Sequence, residues 1–184
     1  MIKKQNKAIF LDRDGVINVD HAYVHKIEDF HFIDGVFEAC QQFVAMGYII
    51  VVVTNQSGIG RGYYNEQQFA TLSDWMCNEF AKHQISISKV YYCPHHPDKA
   101  IAPFKLDCNC RKPNPGMLYE AIEEFNINVS SSVMVGDKLS DIKAARAAGI
   151  KTAILVGSGH SLSDEAKDHA DNVCASLQQV PALL

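Results

Sequence analysis

Apolar residues follow two different patterns along this chain of 184 residues. Continuous apolar runs, typical of strands covered on both faces, occur at residues 7–11, 48–53, 90–92, 132–135 and 152–156. Apolar residues at helical spacing occupy residues 36–46, 66–83, 117–125 and 140–148. Asn65 is a suitable N-cap for the second of these helices, and Gly47 and Gly149 are suitable stops for the first and the last.

This alternation of strands and helices predicts a Rossmann-like α/β fold, in which a five-stranded parallel sheet carries helices on both faces. Functional groups are expected at the carboxyl ends of its strands. The length predicts one domain over residues 1–184. Between Arg13 and Tyr48 there is room for one loop and one helix only, which is too little for a cap domain. The site should therefore be open to a fairly large substrate.

Composition narrows the class of protein. The chain is 47% hydrophobic and 21% charged, which is ordinary for a globular protein and argues against disorder. The formal net charge is −4 and there is no basic run, so a nucleic-acid partner is not expected. An anionic substrate would have to be held by local cations, for which Arg111, Lys112 and Lys138 are candidates.

The sequence also predicts where the protein acts. No stretch approaches the roughly 18 apolar residues of a membrane span. The charged residues 1–7 are followed by only a few apolar residues before Asp12, too few for the core of a signal peptide. We therefore expect a cytoplasmic protein with no membrane partner, whose thiols stay reduced. A monomer is also expected.

Four short polar motifs occur at the ends of predicted strands or at the starts of helical patterns. Together they supply a carboxylate nucleophile, a second carboxylate, a hydroxyl, a lysine and an acidic pair for a cation, which is the equipment of a phosphoryl-transfer site. Any one of them alone is typical of a turn or a solvated loop, and the prediction depends on their order. The motifs are Asp12-Arg13-Asp14-Gly15, Thr54-Asn55, Arg111-Lys112-Pro113 and Gly136-Asp137-Lys138 with Asp141.

These motifs resemble those of the haloacid dehalogenase superfamily, and the resemblance covers nearly the whole chain. It is carried by residues 10–15, 18–25, 54–58, 92–97 and 108–113, with Ala22 and Gly60 where glycine and alanine would be expected. The likeness implies a capless phosphatase. Its catalytic residues would be Asp12 as nucleophile, Asp14 as acid and base, and Thr54 and Lys112 as stabilisers of the phosphoryl group.

A catalytic Mg²⁺ is expected in this site, because phosphate and carboxylate oxygens are ligands that it prefers. The resemblance implies that Asp12, the backbone carbonyl of Asp14 and Asp137 would hold it. Asp141 has three alternatives: direct ligation, ligation through water, or a charge in the first turn of a helix.

Three of the six cysteines and one histidine form a second motif. Cys93-Pro94-His95 and Cys108-Asn109-Cys110 match a closed Cys₃His zinc site, which would stabilise a loop that has no core of its own. His96 competes with His95 as the fourth ligand, and the alternative to zinc is a set of coincidental core cysteines. Small buried side chains are expected at the remaining cysteines, Cys40, Cys77 and Cys174.

Within the superfamily, the likeness extends to phosphatases of heptose 1,7-bisphosphate. It implies a sugar bisphosphate that is cleaved at its 7-phosphate, in lipopolysaccharide core synthesis. Alternatives are a histidinol-phosphate phosphatase, a DNA 3′-phosphatase, which the acidic charge disfavours, and a non-catalytic, zinc-stabilised phosphosugar-binding regulator. Arg111 could grip the second phosphate through its planar fork. The implied substrate contacts are Asp20, His21, Ala22, Tyr23, Thr54, Asn55, Gln56, Ser57, Arg111, Lys112 and Lys138.

Overall fold

The computed structural model describes residues 5–184, so residues 1–4 of the predicted charged N-terminal stretch lie outside it. Among the described residues, six parallel strands form one sheet in the order β3-β2-β1-β4-β5-β6. The strands are β1 (Lys7–Leu11), β2 (Tyr48–Asn55), β3 (Ile87–Cys93), β4 (Val133–Gly136), β5 (Thr152–Val156) and β6 (Asn172–Cys174).

The predicted count of five strands is corrected to six, although the parallel α/β architecture is confirmed. The missed strand is β6, which has three residues at the edge of the sheet and pairs with β5. Asn172 and Val173 are exposed, so no apolar run marks β6 in the sequence. Strand β3 is also longer than predicted, because the polar and exposed Lys89 interrupts its apolar pattern.

Helices connect the strands where the pattern predicts them. Asn65 accepts a hydrogen bond from the backbone N–H of Gln68, whose side chain accepts from the N–H of Asn65, so a capping box starts the longest helix. Gly47 and Gly149 end two helices with φ angles of 84° and 80°. The helices are α1 (Val36–Ala45), α2 (Ser57–Gly60), α3 (Glu66–Lys82), α4 (Gly116–Glu124), α5 (Leu139–Ala147) and α6 (Asp164–His169), with short 3₁₀ segments at Ile27–Asp29, Val129–Ser131 and Leu177–Leu183.

The two faces of the sheet carry separate cores. Alternate residues of β1 point to opposite faces, so Ile9 and Leu11 join one cluster and Ala8 and Phe10 the other. The first cluster includes buried residues of α1 and α3, and the second includes those of α4 and α5. This burial on both faces holds the central strands rigidly. No helix within residues 5–184 is long and apolar enough to cross a membrane.

Candidate active site

Asp12 lies at the carboxyl end of β1, and a buried lysine is paired with it. The Lys112 ammonium lies 3.1 Å from Asp12 Oδ1 and 2.6 Å from Asp141 Oδ1, and it donates to the carbonyl of Val53 at 2.8 Å. All three charged side chains are almost fully buried. A lysine between two carboxylates is fixed in position, which suits a cation that must neutralise an incoming phosphate.

The charges of this cluster shift one another's titration. Burial raises the pKa of Asp12 to about 7; the Lys112 charge opposes this shift, and the Asp141 and Asp137 carboxylates add to it. Burial alone would lower the pKa of Lys112, but its two carboxylate partners raise it above the ordinary value. The cluster therefore holds a protonated lysine among carboxylates that repel one another when no cation is bound.

Asp14 is held by a different set of partners. Arg13 donates through Nη2 to both carboxylate oxygens at 2.8 and 2.9 Å and to the carbonyl of Val24 at 2.7 Å. The side-chain amides of Asn18 and Gln56 each donate to Asp14 at 3.0 Å. Burial would raise the pKa of Asp14, but the Arg13 charge and these hydrogen bonds hold it below its usual range. Asp14 is therefore ionised in the free site.

The end of β2 supplies the hydroxyl and a link to Lys112. Thr54 Oγ1 accepts from Gln56 Nε2 at 2.9 Å, and Tyr64 donates its hydroxyl proton to Gln56 Oε1. Asn55 and Lys112 exchange two hydrogen bonds of 3.0 Å, one each way between the Asn55 amide and the Lys112 backbone. Strand β2 thereby fixes the segment that carries Lys112, although the two are 57 residues apart in sequence.

Asp137 follows β4 and is pressed between two backbone segments. A Cβ at Gly15 or at Gly159 would overlap Asp137 Oδ2, so both positions require glycine; Gly15 also has a φ of 89°. Asp137 Oδ2 contacts His160 Nδ1 at 2.5 Å. Burial and the Asp141 charge raise the pKa of Asp137 against the opposing charge of Lys138.

Three carboxylates converge as a group that could hold a cation. Ligand oxygens of Asp12, Asp137 and Asp141 all lie within 4.8 Å of one another. Asp137 Oδ1 is buried and has no hydrogen-bond partner within residues 5–184. Oxygen ligands and an unpaired buried carboxylate oxygen fit Mg²⁺. The Asp14 carboxylate is not in this group, so its predicted contribution rests on the backbone carbonyl alone. Asp141 also lies in the first turn of α5, where its carboxylate accepts from the backbone N–H of Lys138 at 3.0 Å.

The predicted zinc ligands come together where β3 ends: Cys93 is its last residue, and His95, Cys108 and Cys110 lie in the loop between β3 and α4. The sulfur of Cys110 lies 3.1 Å from that of Cys93 and 3.2 Å from that of Cys108, and His95 Nδ1 lies 3.4 Å from Cys110 Sγ. His96 is absent from this cluster, since its Nδ1 accepts from the backbone N–H groups of residues 98 and 99. The geometry thus favours His95 over His96. Cys40 is buried as predicted, whereas Cys77 and Cys174 are half-buried.

An open cavity of about 580 Å³ is lined by the predicted catalytic and substrate-contact residues, whereas Asp137 and the predicted zinc ligands are not part of its lining. All eleven predicted substrate contacts and both Asp12 and Asp14 line it. Ala22 and Tyr23 in its wall adopt positive φ angles of 59° and 57°, a conformation that favours glycine and stores strain in other residues. Further lining residues, to which the sequence assigned no substrate contact, are Gly58, Tyr64, Ser140 and His160, together with Asp141.

Of these additional residues, His160 had a signal in the sequence. It ends Gly157-Ser158-Gly159-His160, directly after β5, and the carboxyl ends of parallel strands gather at one edge. Tyr64 had no such signal, because it lies between two helices, away from any strand end, and only the fold brings its hydroxyl to Gln56. Ser140 had none either, because it lies inside the first turn of a helix.

Comparison with known proteins identifies the family. The HAD-hydrolase-like family model matches residues 109–180. The D-glycero-β-D-manno-heptose-1,7-bisphosphate 7-phosphatase of Yersinia pestis is 51% identical over 174 residues, which are 95% of this chain and 93% of that protein. The enzyme of the same name from Escherichia coli K12 is 50% identical over 97% of this chain and 93% of its own. The chain belongs to the family of HAD-like heptose-bisphosphate phosphatases.

Two solved structures share the fold. The D,D-heptose 1,7-bisphosphate phosphatase from B. bronchiseptica, complexed with magnesium and phosphate, superposes with a TM-score of 0.81 at 29% identity, covering 96% of this chain and 97% of that one. A HAD-like phosphatase from Mesorhizobium loti gives 0.80 at 30% identity, covering 98% and 88%. The predicted superfamily, fold class and enzyme class, a phosphomonoester hydrolase, are confirmed.

Proposed function

We propose that this chain removes the 7-phosphate of D-glycero-β-D-manno-heptose 1,7-bisphosphate through an aspartyl-phosphate intermediate, in the synthesis of the lipopolysaccharide core. One observation carries the proposal. The motifs of a phosphoryl-transfer site meet in one cavity of a chain that is half identical, over nearly its whole length, to enzymes that bear this name.

Asp12 is the proposed nucleophile. Its Oδ1 accepts from the backbone N–H of Arg13 at 2.8 Å and faces Lys112, so Oδ2 is the oxygen placed to attack phosphorus. The bond from phosphorus to the sugar oxygen breaks as the bond to Oδ2 forms, and Asp14 gives its proton to the leaving oxygen. An incoming phosphate raises the pKa of Asp14, because like charges disfavour its ionised form, and this supplies the acid.

The second half of the reaction reverses the role of Asp14. The carboxylate takes a proton from water, and the water oxygen attacks phosphorus and displaces Asp12. Inorganic phosphate leaves and Asp12 regains its carboxylate. The contacts of Asp14 with Arg13, Asn18 and Gln56 hold one orientation for both steps.

Cations must offset the repulsion between Asp12 and the substrate. Two unit charges 4 Å apart repel by about 4 kcal/mol at an effective dielectric constant near 20. Lys112 supplies one fixed positive charge, and Thr54 and the N–H of Asn55 donate to phosphoryl oxygens. Mg²⁺, when bound by Asp12, Asp137 and the Asp14 carbonyl, supplies further neutralisation of the phosphoryl group.

Zinc is the proposed occupant of the cysteine loop. Three thiolates and one imidazole form a closed set of ligands that suits structural Zn²⁺. Cys110 directly precedes Arg111 and Lys112, and Arg111 Nη1 donates to the carbonyl of His95 at 3.2 Å. Zinc would therefore position these two cations and take no part in the chemistry.

The second phosphate of the substrate is assigned to Arg111. It is half-buried in the cavity wall and belongs to a different segment from Asp12 and Asp14. The cavity is open, so an extended sugar can place a terminal phosphate at Asp12 and its anomeric phosphate at Arg111. Asp20, His21, Ala22 and Tyr23, with Gln56, Ser57 and Lys138, would contact the sugar between them.

A phosphate-release panel tests this proposal against its rivals. The substrates are the α- and β-heptose 1,7-bisphosphates, fructose 1,6-bisphosphate, histidinol phosphate and a 3′-phosphorylated DNA oligonucleotide. The proposal predicts the highest kcat/KM for the β-heptose bisphosphate. Faster hydrolysis of histidinol phosphate would transfer the assignment to that activity, and binding without turnover of any substrate would favour a regulator.

The state of the protein in solution is a separate part of the proposal. We expect one folded unit of residues 1–184 that is monomeric and acts in the cytoplasm. Light scattering after size exclusion should give a mass near the chain mass of 20.4 kDa, and a doubled mass would contradict the monomer.

A further inference from the structure

The loop after β5 reaches back over the strand-end site, although the proposed chemistry does not use it. Ser158 donates its hydroxyl proton to the carbonyl of Gly15 at 2.7 Å. Gly159 packs so closely on Asp137 that a side chain there would overlap the carboxylate. These two contacts place the next residue, His160, in the cavity wall.

His160 lies between two carboxylates from different parts of the chain. Its Nδ1 is 2.5 Å from Asp137 Oδ2, and its Nε2 is 3.4 Å from Asp20 Oδ2. Carboxylate oxygens only accept hydrogen bonds, so the ring nitrogen that faces Asp137 donates. Asp137 follows β4 next to the carboxylate cluster, whereas Asp20 begins the substrate loop, residues 20–23.

The two contacts of His160 orient the Asp137 carboxylate and the Asp20 side chain. Because His160 occupies Oδ2 of Asp137, the buried Oδ1 is the oxygen left for a cation. Partners of this kind fix the direction of a ligand and raise metal affinity. At the other end, Asp20 Oδ1 accepts from the N–H of Ala22 at 2.9 Å, which supports the strained turn at residues 22 and 23. Lys138 is a second partner of Asp20, at 3.5 Å.

We propose that His160 is a positioning residue that orients Asp137 for the divalent cation and ties the substrate loop to that carboxylate. The part that concerns the substrate rests on the proposed function. The part that concerns the cation does not, since it depends only on the contacts of Asp137.

Two amide substitutions separate the two contacts. His160→Asn keeps a donor near the position of Nδ1 and loses the reach to Asp20, and His160→Gln keeps a donor near Nε2. His160→Ala removes both. His169→Ala is the control, because His169 is exposed and its Nδ1 bonds to the carbonyl of Glu165 in its own helix, α6.

The contact between His160 and Asp137 is tested by Mn²⁺ binding to the substrate-free protein, measured by electron paramagnetic resonance. This measurement does not depend on turnover. We expect His160→Ala to weaken Mn²⁺ binding by about 10- to 100-fold, the range found for outer partners of metal ligands. His160→Asn should recover most of this affinity, and His160→Gln should not. Zinc content and circular dichroism should match the parent in all variants.

The contact between His160 and Asp20 is tested by steady-state kinetics at saturating Mg²⁺. KM should rise in the Ala and Asn variants and recover in the Gln variant, with smaller changes in kcat. Parental Mn²⁺ affinity in His160→Ala would overturn the orienting role, as would Asn and Gln variants that both behave like Ala. If the release panel selects another substrate, the Mn²⁺ result still decides the role at Asp137, so the two failures are distinguishable.

Discussion

The two candidate metal sites of this protein are built in opposite ways. The carboxylate cluster stands on rigid elements: Asp12 follows β1, Asp137 follows β4 and Asp141 lies in the first turn of α5. The cysteine cluster has only Cys93 on a regular element, as the last residue of β3. Its other three members lie in the loop between β3 and α4, which has no strand or helix of its own within the described chain. In the first site the sheet and helix hold the ligands in place without a metal. In the second site a bound metal would hold together a loop that has no core of its own.

The two sites are nevertheless joined through one short segment. Cys110 belongs to the cysteine cluster, and Lys112, two residues later, reaches Asp12 and Asp141. Asn55 clamps the same segment to β2. We therefore expect changes at the carboxylates to abolish chemistry and spare the fold, whereas changes at the cysteines should lower stability strongly and turnover only modestly.

The largest effect is expected for Asp12→Asn. Turnover should fall by at least about 10⁴-fold, because loss of a covalent nucleophile removes the whole reaction path. The protein should fold, and without metal at pH 8 it should melt no earlier than the parent. The pKa of Asp12 is raised to about 7, so its charge opposes folding above that pH, and Asn removes this charge. Phosphate release and a thermal melt measure the two results.

The exposed Asp168→Asn is the matched control for that change and should alter neither quantity. Near-parental turnover of Asp12→Asn would refute the assignment of the nucleophile. A variant that fails to fold would instead contradict the separation of chemistry from stability.

Asp14→Asn should cost about 10²- to 10⁴-fold in kcat for the sugar phosphate, the usual contribution of a positioned acid or base. An aryl phosphate, whose leaving group needs no proton, should recover part of the first step. This dependence is measured by comparing burst amplitudes for the two kinds of substrate. An equal loss with both would count against the acid role.

Arg111→Ala should reduce kcat/KM about 10- to 150-fold for bisphosphates and much less for a monophosphate analogue. The reason is the loss of one charge-assisted contact, worth roughly 1.5–3 kcal/mol. Lys105→Ala, an exposed cation in the same loop, is the control. Equal losses on both substrates would mean that Arg111 supports the loop through its bond to His95.

The smallest effect on turnover is expected for Cys108→Ser, within about tenfold at a temperature where the protein is folded. The melting temperature should fall instead, because an opened zinc site loses binding energy that stabilises the fold. A cost of about 3 kcal/mol corresponds to roughly 6–12 °C for a chain of this size. Cys77→Ser, a half-buried cysteine outside the cluster, should keep zinc and melt close to the parent. An unchanged melting temperature for Cys108→Ser would contradict the structural role of the cysteine cluster.

The contrast between residues on strands and residues on loops also explains which parts of the site the sequence could predict. Strands β1, β2 and β5 are continuous apolar runs, so the ends of β1 and β2 locate Asp12 and Thr54 from the sequence pattern alone. Lys112 could be placed only by resemblance, because a loop brings it to Asp12 across a hundred residues. The zinc ligands were predictable from spacing alone, since a metal requires a fixed set of side chains.

The features that the sequence did not predict all depend on contacts between distant parts of the chain. Strand β6 is short, and its pairing with β5 depends on neighbours that a local pattern cannot show. The sequence offers Asp141 as an acidic residue in the first turn of a helix, and it has that position. Its ion pair with Lys112 is a long-range contact, which a local pattern cannot show. His160 follows a predicted strand, but only the folded loop brings it to Asp20 and Asp137.

The most direct test of the division between the two sites measures zinc content and turnover on one sample. Brief treatment with EDTA should stop phosphate release, and added Mg²⁺ alone should restore it while about one zinc per chain stays bound, as a closed Cys₃His site requires. Recovery that needs added zinc, or a zinc-free preparation that is as stable and as active as the parent, would contradict the account.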